Sequence, residues 1–262
     1  MFKQRFLTAL VLIPLVLVGI FYANDAFLAG VVTTLVLALA WEWVALIPLS
    51  RLSTKIGFFA GLIGVIGGMF WLLPISLLVD GLLWCGILIA LVTYPKSTAV
   101  WGKSWLVMGL AWFLLALFAN SIWALLHVSQ GRGLLVYLLC LVWATDIGAY
   151  AAGKLWGKHR LIPNVSPGKT IEGTSGGAVL ALLVAGLGAF YFQPQQLMFW
   201  FCKALVIIGL AMIGDLFISM LKRRCQVKDT GHILPGHGGI LDRLDSLIAA
   251  VPFFYYFYQS MI

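Results

Sequence analysis

Three aspartates near the C-terminal end, Asp215, Asp242 and Asp245, sit among apolar residues with hydroxyl and cationic side chains at helical spacing. Asp215, Ser219 and Lys222 recur at i, i+4 and i+7, so a carboxylate, a hydroxyl and an ammonium share one helical stripe. Asp242 and Asp245, at i and i+3, share a face of the next helix. Acids in a first helical turn can complement the dipole. Two carboxylates on one face can equally hold a divalent cation together with substrate phosphate oxygens. With Asp215 ending the neighbouring helix, the metal reading is favoured, and Asp215, Asp242 and Asp245 are the candidate ligands. Asp146 lies in Trp143-Ala144-Thr145-Asp146-Ile147-Gly148-Ala149-Tyr150, where small residues let helices approach closely. It is expected to be a fourth acid facing the same cavity.

Between the two aspartate groups runs Lys228-Asp229-Thr230-Gly231-His232-Ile233-Leu234-Pro235-Gly236-His237-Gly238-Gly239, too rich in Gly and Pro to continue as helix. Its successive N–H groups can form an anion-holding nest, although a plain turn between helices has the same composition. His232 and His237 suit phosphate donation or turn stabilisation, and neither has the partner set of a zinc ligand. Lys169, Lys222, Arg223, Lys228 and Arg243 are candidate phosphate partners, some of which would be ordinary interfacial cations. Gly168-Lys169-Thr170 imitates a P-loop, but Pro163 stands where that motif needs glycine, and no strand is expected before it.

The elements that must position these groups are membrane helices. Of 262 residues, 62% are hydrophobic and 10% charged, against about 25% charged in soluble domains. Apolar runs of about twenty residues recur, each long enough for a hydrocarbon core of about 30 Å. Backbone groups in lipid must bond within their own segment, so the fold class is all-α, a polytopic helical bundle. Nine spans are expected: 6–22, 26–47, 56–73, 76–93, 105–126, 134–152, 176–192, 197–221 and 241–260. Pro48, Pro74, Pro95 and Pro194 fall at their ends. No small-residue cleavage site follows Ile20, so the first helix reads as retained.

With the N-terminus cytoplasmic, every Lys and Arg except Arg132 and Lys203 falls on the inner face, the asymmetry that orients membrane proteins. The formal charge of +8 then marks that face and anionic lipid, not nucleic acid. Asp25 and Asp80 map to the outer side, and the other seven acids to the inner half. Acids within spans, such as Asp146 and Asp215, cost roughly 2.5–3.5 kcal/mol at the bilayer centre and are functional by default. Glu42, between Trp41 and Trp43, reads instead as an interfacial residue in an aromatic belt and stays outside the catalytic set. The four cysteines are far apart, without a C-x-x-C pair, so neither a zinc site nor a disulfide framework is supported.

Ser219-x-x-Lys222-Arg223, then Lys228-Asp229-x-Gly231-His232-x-x-Pro235-Gly236-His237-Gly238-Gly239-x-x-Asp242-Arg243-x-Asp245, closely resembles the signature of phosphatidate cytidylyltransferases, also called CDP-diacylglycerol synthases. Ser166-Pro167-Gly168-Lys169-Thr170-Ile171-Glu172-Gly173 resembles the family's other cytoplasmic element, with Ile171 where many members carry an aromatic residue. The resemblance extends over essentially the whole chain. It implies one catalytic domain over 1–262, residues 1–130 serving lipid and scaffold roles and 131–262 carrying both motifs.

It also implies attack by the phosphate of phosphatidic acid on the α-phosphate of CTP, with pyrophosphate leaving. The implied metal is Mg²⁺, and a second, monovalent cation is permitted. The implied substrate-facing set is Ser166, Lys169, Thr170, Ser219, Lys222, Arg223, Lys228, Asp229, His232, His237, Gly238, Gly239 and Arg243. The lipid bilayer is a partner, nucleic acid is not, and a homodimer is left open. The main alternative is a secondary transporter of an anionic solute, which also uses intramembrane acids. Other lipid enzymes with clustered aspartates fit less well, because neither Asp-Gly-x-x-Ala-Arg nor Asp-Asp-x-x-Asp occurs.

Overall fold

The computed structural model describes residues 13–49, 51–231 and 238–259. Helices α1 (Ile13–Tyr22), α2 (Asp25–Ala45), α3 (Leu52–Val92), α4 (Thr98–Trp101), α5 (Ser104–Leu126) and α6 (Gly131–Trp156) are followed by strands β1 (Arg160–Ile162) and β2 (Ser166–Thr170). Helices α7 (Ile171–Phe192), α8 (Leu197–Arg224) and α9 (Leu241–Tyr258) complete the order. Among the described residues, six helices, α2, α3, α5, α6, α7 and α8, are long and apolar enough to cross a membrane. Large apolar side chains such as Trp71, Leu82, Phe190 and Met198 point outward, as expected where the surrounding solvent is lipid.

α9 occupies the interior. Ala249, Ala250, Val251, Phe254 and Tyr258 on successive faces are all buried, the pattern of a helix enclosed all round. It packs on α8, where Gly214 is indispensable: a Cβ there would lie 2.5 Å from the Asp245 carbonyl oxygen. α6 and α7 approach as closely through small residues, since a Cβ on Gly148 would stand 2.6 Å from the Gly176 carbonyl oxygen.

Side-chain to backbone bonds fix which ends lie together. Arg224 donates to Leu46 O (3.0 Å) and Gly102 O (2.7 Å), and Arg223 to Val165 O (3.1 Å). This basic end therefore gathers the close of α2, the approach to α5, the β-hairpin and the close of α8. At the opposite end Arg132 donates to Phe21 O (2.7 Å) and pairs with Asp25 (3.3 Å), while Lys203 donates to Phe257 O (2.7 Å). Tyr137, Phe192, Trp200, Phe254 and Tyr258 pack there as a ring cluster, Tyr137 stacking on Trp200 at 5.0 Å.

α3 departs from expectation. The sequence reading ends one span at Leu73 and opens another at Ser76, whereas the structure carries one helical element of 41 residues through Pro74. Straight, it would be about 62 Å long. Yet the carbonyls of Leu46 and Gly102, on either side of it, meet at one guanidinium. Its first half runs along α5 in the same sense, with Trp112 donating to Phe58 O and Asn120 to Ile66 O. Its second half returns, so that Leu77 packs with Ala116 and Leu117, and Val79 and Leu83 share a groove with Trp105 and Leu106. The element doubles back near Pro74, whose ring lacks the N–H a straight helix would use.

A second departure is the antiparallel pair β1–β2, with Arg160 opposite Thr170 and Ile162 opposite Ser166. The sequence reading expects no strand before Gly168-Lys169-Thr170. Each strand, at 3 and 5 residues, is too short to show alternation in the sequence. At the other helix ends, α2 and α5 to α9 lie within a few residues of the expected spans, α7 starting earliest, at Ile171.

Candidate active site

The site lies at the basic end and is built by four elements: α6, the β-hairpin with the start of α7, the last third of α8, and α9 with its preceding loop. The hairpin is fastened first. Glu172, in the first turn of α7, accepts from the backbone N–H groups of Lys158 (3.1 Å) and His159 (3.2 Å), and its Oε1 lies 2.6 Å from His159 Nδ1. Thr170 caps α7, its hydroxyl accepting from Gly173 N at 3.1 Å. Lys169, one residue earlier on β2, reaches Asp215 on α8, Nζ to Oδ2 at 2.5 Å.

Asp215 also lies 3.4 Å from the Ser219 hydroxyl, one turn on. A further turn along, Lys222 Nζ meets Asp242 Oδ1 at 2.6 Å. The expected stripe of Asp215, Ser219 and Lys222 therefore faces α9. Asp242 is enclosed: its Oδ2 accepts from Thr230 N (2.9 Å), the Thr230 hydroxyl (3.0 Å) and Gly239 N (3.2 Å). Asp245 is buried one turn deeper and accepts from Ser246 N at 2.7 Å. Asp215, Asp146 and Lys169 all lie within electrostatic reach of it, and Arg243 acts on Asp146.

Asp146, Asp215 and Asp245 thus lie within charge–charge reach of one another and of Lys169. Among the described residues, no three His, Cys, Asp or Glu side chains stand close enough to hold a metal ion as arranged. The donor set nevertheless has the hard-oxygen character suited to Mg²⁺. Three acids against the two cations Lys169 and Arg243 also leave negative charge for a cation to neutralise.

The remaining predicted residues divide. Gly238 takes φ +82°, a conformation that favours glycine, and faces Asp229 and Asp242. Lys228 and Asp229 are exposed on the turn after α8. Arg223 is spent on the hairpin carbonyl of Val165 and does not meet the acids. Ser166 opens β2 opposite Ile162, away from the cluster, and Thr170 is committed to its cap. His232 and His237 lie outside the described residues.

Sequence reasoning misplaced one residue outright. Glu42 is not an interfacial side chain in an aromatic belt: it is buried at 2% exposure and bonded to the loop before α9. Trp41 faces outward and Trp43 inward, so the flanking rings do not describe one surface. The signal that singles out Asp146, an acid inside an apolar span, applies equally to Glu42.

An apolar helical bundle that gathers acids, cations and a glycine-rich loop at one end defines the class: a polytopic membrane protein handling charged groups beside its own apolar interior. Within it the chain belongs to the cytidylyltransferase family, whose profile matches residues 3–261. The chain is similar to the phosphatidate cytidylyltransferase of Pseudomonas aeruginosa, 36% identical over 259 residues that cover 97% of this chain and 96% of that protein. It is similar also to that of Haemophilus influenzae, 36% identical over 284 residues covering 98% and 99%. With the Bacillus subtilis phosphatidate cytidylyltransferase the match is 43% over 129 residues, about half of each chain.

Proposed function

We propose that this protein joins CTP to phosphatidic acid, giving CDP-diacylglycerol and pyrophosphate. One observation carries the reading: two lysine–aspartate pairs, Lys169–Asp215 and Lys222–Asp242, converge beside buried Asp245 in a chain similar over its whole length to phosphatidate cytidylyltransferases. A phosphate monoester is largely dianionic at pH 7, its second pKa being about 6, so the attacking oxygen needs no strong base. The protein's task is to align two anionic substrates and neutralise their crowding.

Lys169 and Lys222 act as point charges for phosphate oxygens, each released from its aspartate when a substrate arrives. Arg243 adds positive charge at the open side, and Gly238 and Gly239 let a substrate approach the backbone there, the N–H of Gly239 itself being held by Asp242. Mg²⁺ is proposed with Asp215, Asp242 and Asp245, and Asp146 as further acid; when bound it would polarise the α-phosphate and assist departure of pyrophosphate. Both oxygens of Asp215 and both of Asp242 meet protein donors, so a metal at either takes the place of a lysine. A monovalent cation beside it belongs to the same proposal.

The same reading has nine spans, a cytoplasmic N-terminus and the inner membrane with the site at its cytoplasmic face, and leaves a homodimer open. Phosphatidic acid then keeps its tails in lipid while CTP arrives from water. The transport alternative draws no support from the family or its relatives. The deciding experiment is pyrophosphate release by detergent-purified protein given CTP, phosphatidic acid and Mg²⁺. Release that requires all three supports the reading, and its absence from folded protein overturns it.

A further inference from the structure

Glu42 comes from α2, far from both signature motifs in sequence, yet its carboxylate sits at the start of α9. Oε1 accepts from Ile240 N at 2.9 Å, and Oε2 accepts from Leu241 N at 2.8 Å. These are N–H groups that the helix itself leaves without partners. Ile240, the N-cap of α9, makes no side-chain capping bond, and the anion that helix dipoles favour there is supplied from another helix by Glu42. Oε2 also lies 3.0 Å from the Thr230 hydroxyl, which is 3.0 Å from Asp242 Oδ2 as well. A hydroxyl has one proton and donates to one carboxylate at a time. Glu42 and Asp242 are thus coupled through a single shared donor.

The glycines on either side of the loop have their reason in the same carboxylate. A Cβ on Gly231 would stand 2.5 Å from Glu42 Oε1, and one on Gly239 would collide with Oε2 and the Thr230 hydroxyl.

We propose that Glu42 is a positioning residue for the reaction: it pins the two ends of the glycine-rich loop against α2 and thereby sets where Asp242 and Lys222 stand. This rests on the function proposed above. Glu42 touches no substrate; it acts through Thr230, Ile240 and Leu241.

Two measurements on the full-length purified protein test it. Hydrogen exchange of the Ile240 and Leu241 amides, read against those of α8, reports the pinning without any turnover. In Glu42→Gln, which keeps size but offers one acceptor oxygen, and in Glu42→Ala, protection of these two amides falls while α8 stays protected. Steady-state kinetics then give a loss of about 10–100-fold in kcat, the scale of a small misplacement of reacting groups. KM values change little, and Glu42→Gln lies between wild type and Glu42→Ala. Gly239→Ala, with Glu42 intact, reproduces the kinetic loss. Unchanged amide protection in both variants, or wild-type kcat in Glu42→Ala, overturns the proposal. If wild-type protein releases no pyrophosphate, the function proposed above fails instead, and exchange alone decides the role of Glu42.

Discussion

Lys222 and Asp242 form the most enclosed ion pair among the described residues, with side chains 13% and 9% exposed. Removing one partner of such a pair costs about 3–5 kcal/mol, because the other charge is left uncompensated. Asp242 keeps two backbone donors and a share of the Thr230 hydroxyl, so Lys222→Ala is expected near the low end of that range, read as a lowered thermal midpoint in detergent. Asp215→Asn and Asp242→Asn are expected to abolish pyrophosphate release while the protein stays folded, and wild-type turnover in either would remove that residue from the mechanism. Asp80 behaves oppositely. It is fully buried in α3 with neither carboxyl oxygen bonded, and the Trp84 indole nearby is outside hydrogen-bond geometry. Leaving such a group unsatisfied costs about 1–3 kcal/mol. Asp80→Leu therefore should raise the thermal midpoint without loss of pyrophosphate release; a marked fall would disclose a partner. At this scale the site was legible where spacing is local. The Asp215, Ser219 and Lys222 stripe can be read from helical period alone. Glu42 could not be joined to Leu241, 199 positions away, by any periodicity.

Among the elements, the α6–α7 contact sets the depth of Asp146 and the seat of the hairpin. Gly148, Gly176 and Gly177 bring the two backbones together, and a Cβ on Gly177 would lie 2.5 Å from the Thr145 carbonyl oxygen. Overpacking of this kind costs about 1–3 kcal/mol. Gly177→Val is expected to lower the thermal midpoint and also to impair turnover, because α7 carries the Thr170 cap beside Lys169. Full activity would show that the hairpin is held independently of α7. Most helices were legible because apolar runs of span length admit one backbone solution in lipid. The hairpin was not, since its shape depends on remote fastenings: Glu172 on His159 and Arg223 on Val165. Pro74 was visible, but its effect depends on what α5 offers both halves of α3.

For the whole molecule, the sorting of charge along the sequence has a counterpart in space. Arg132 and Lys203 lie at the end opposite Lys169, Lys222, Arg223 and Arg224. The ring cluster of Tyr137, Trp200 and Tyr258 packs at the end opposite the polar site, whereas the buried apolar core runs the length of the bundle. Chelating divalent ions is expected to abolish pyrophosphate release and restoring Mg²⁺ to recover it, with the protein folded throughout; activity surviving chelation would leave the acids a purely structural role. The folded-back α3 bears on how such a chain enters a bilayer. No charged residue lies between Lys55 and Asp80, so no hydrophilic segment has to be carried through hydrocarbon at this turn. Both limbs can partition from the insertion machinery together, as one preassembled wedge, during synthesis.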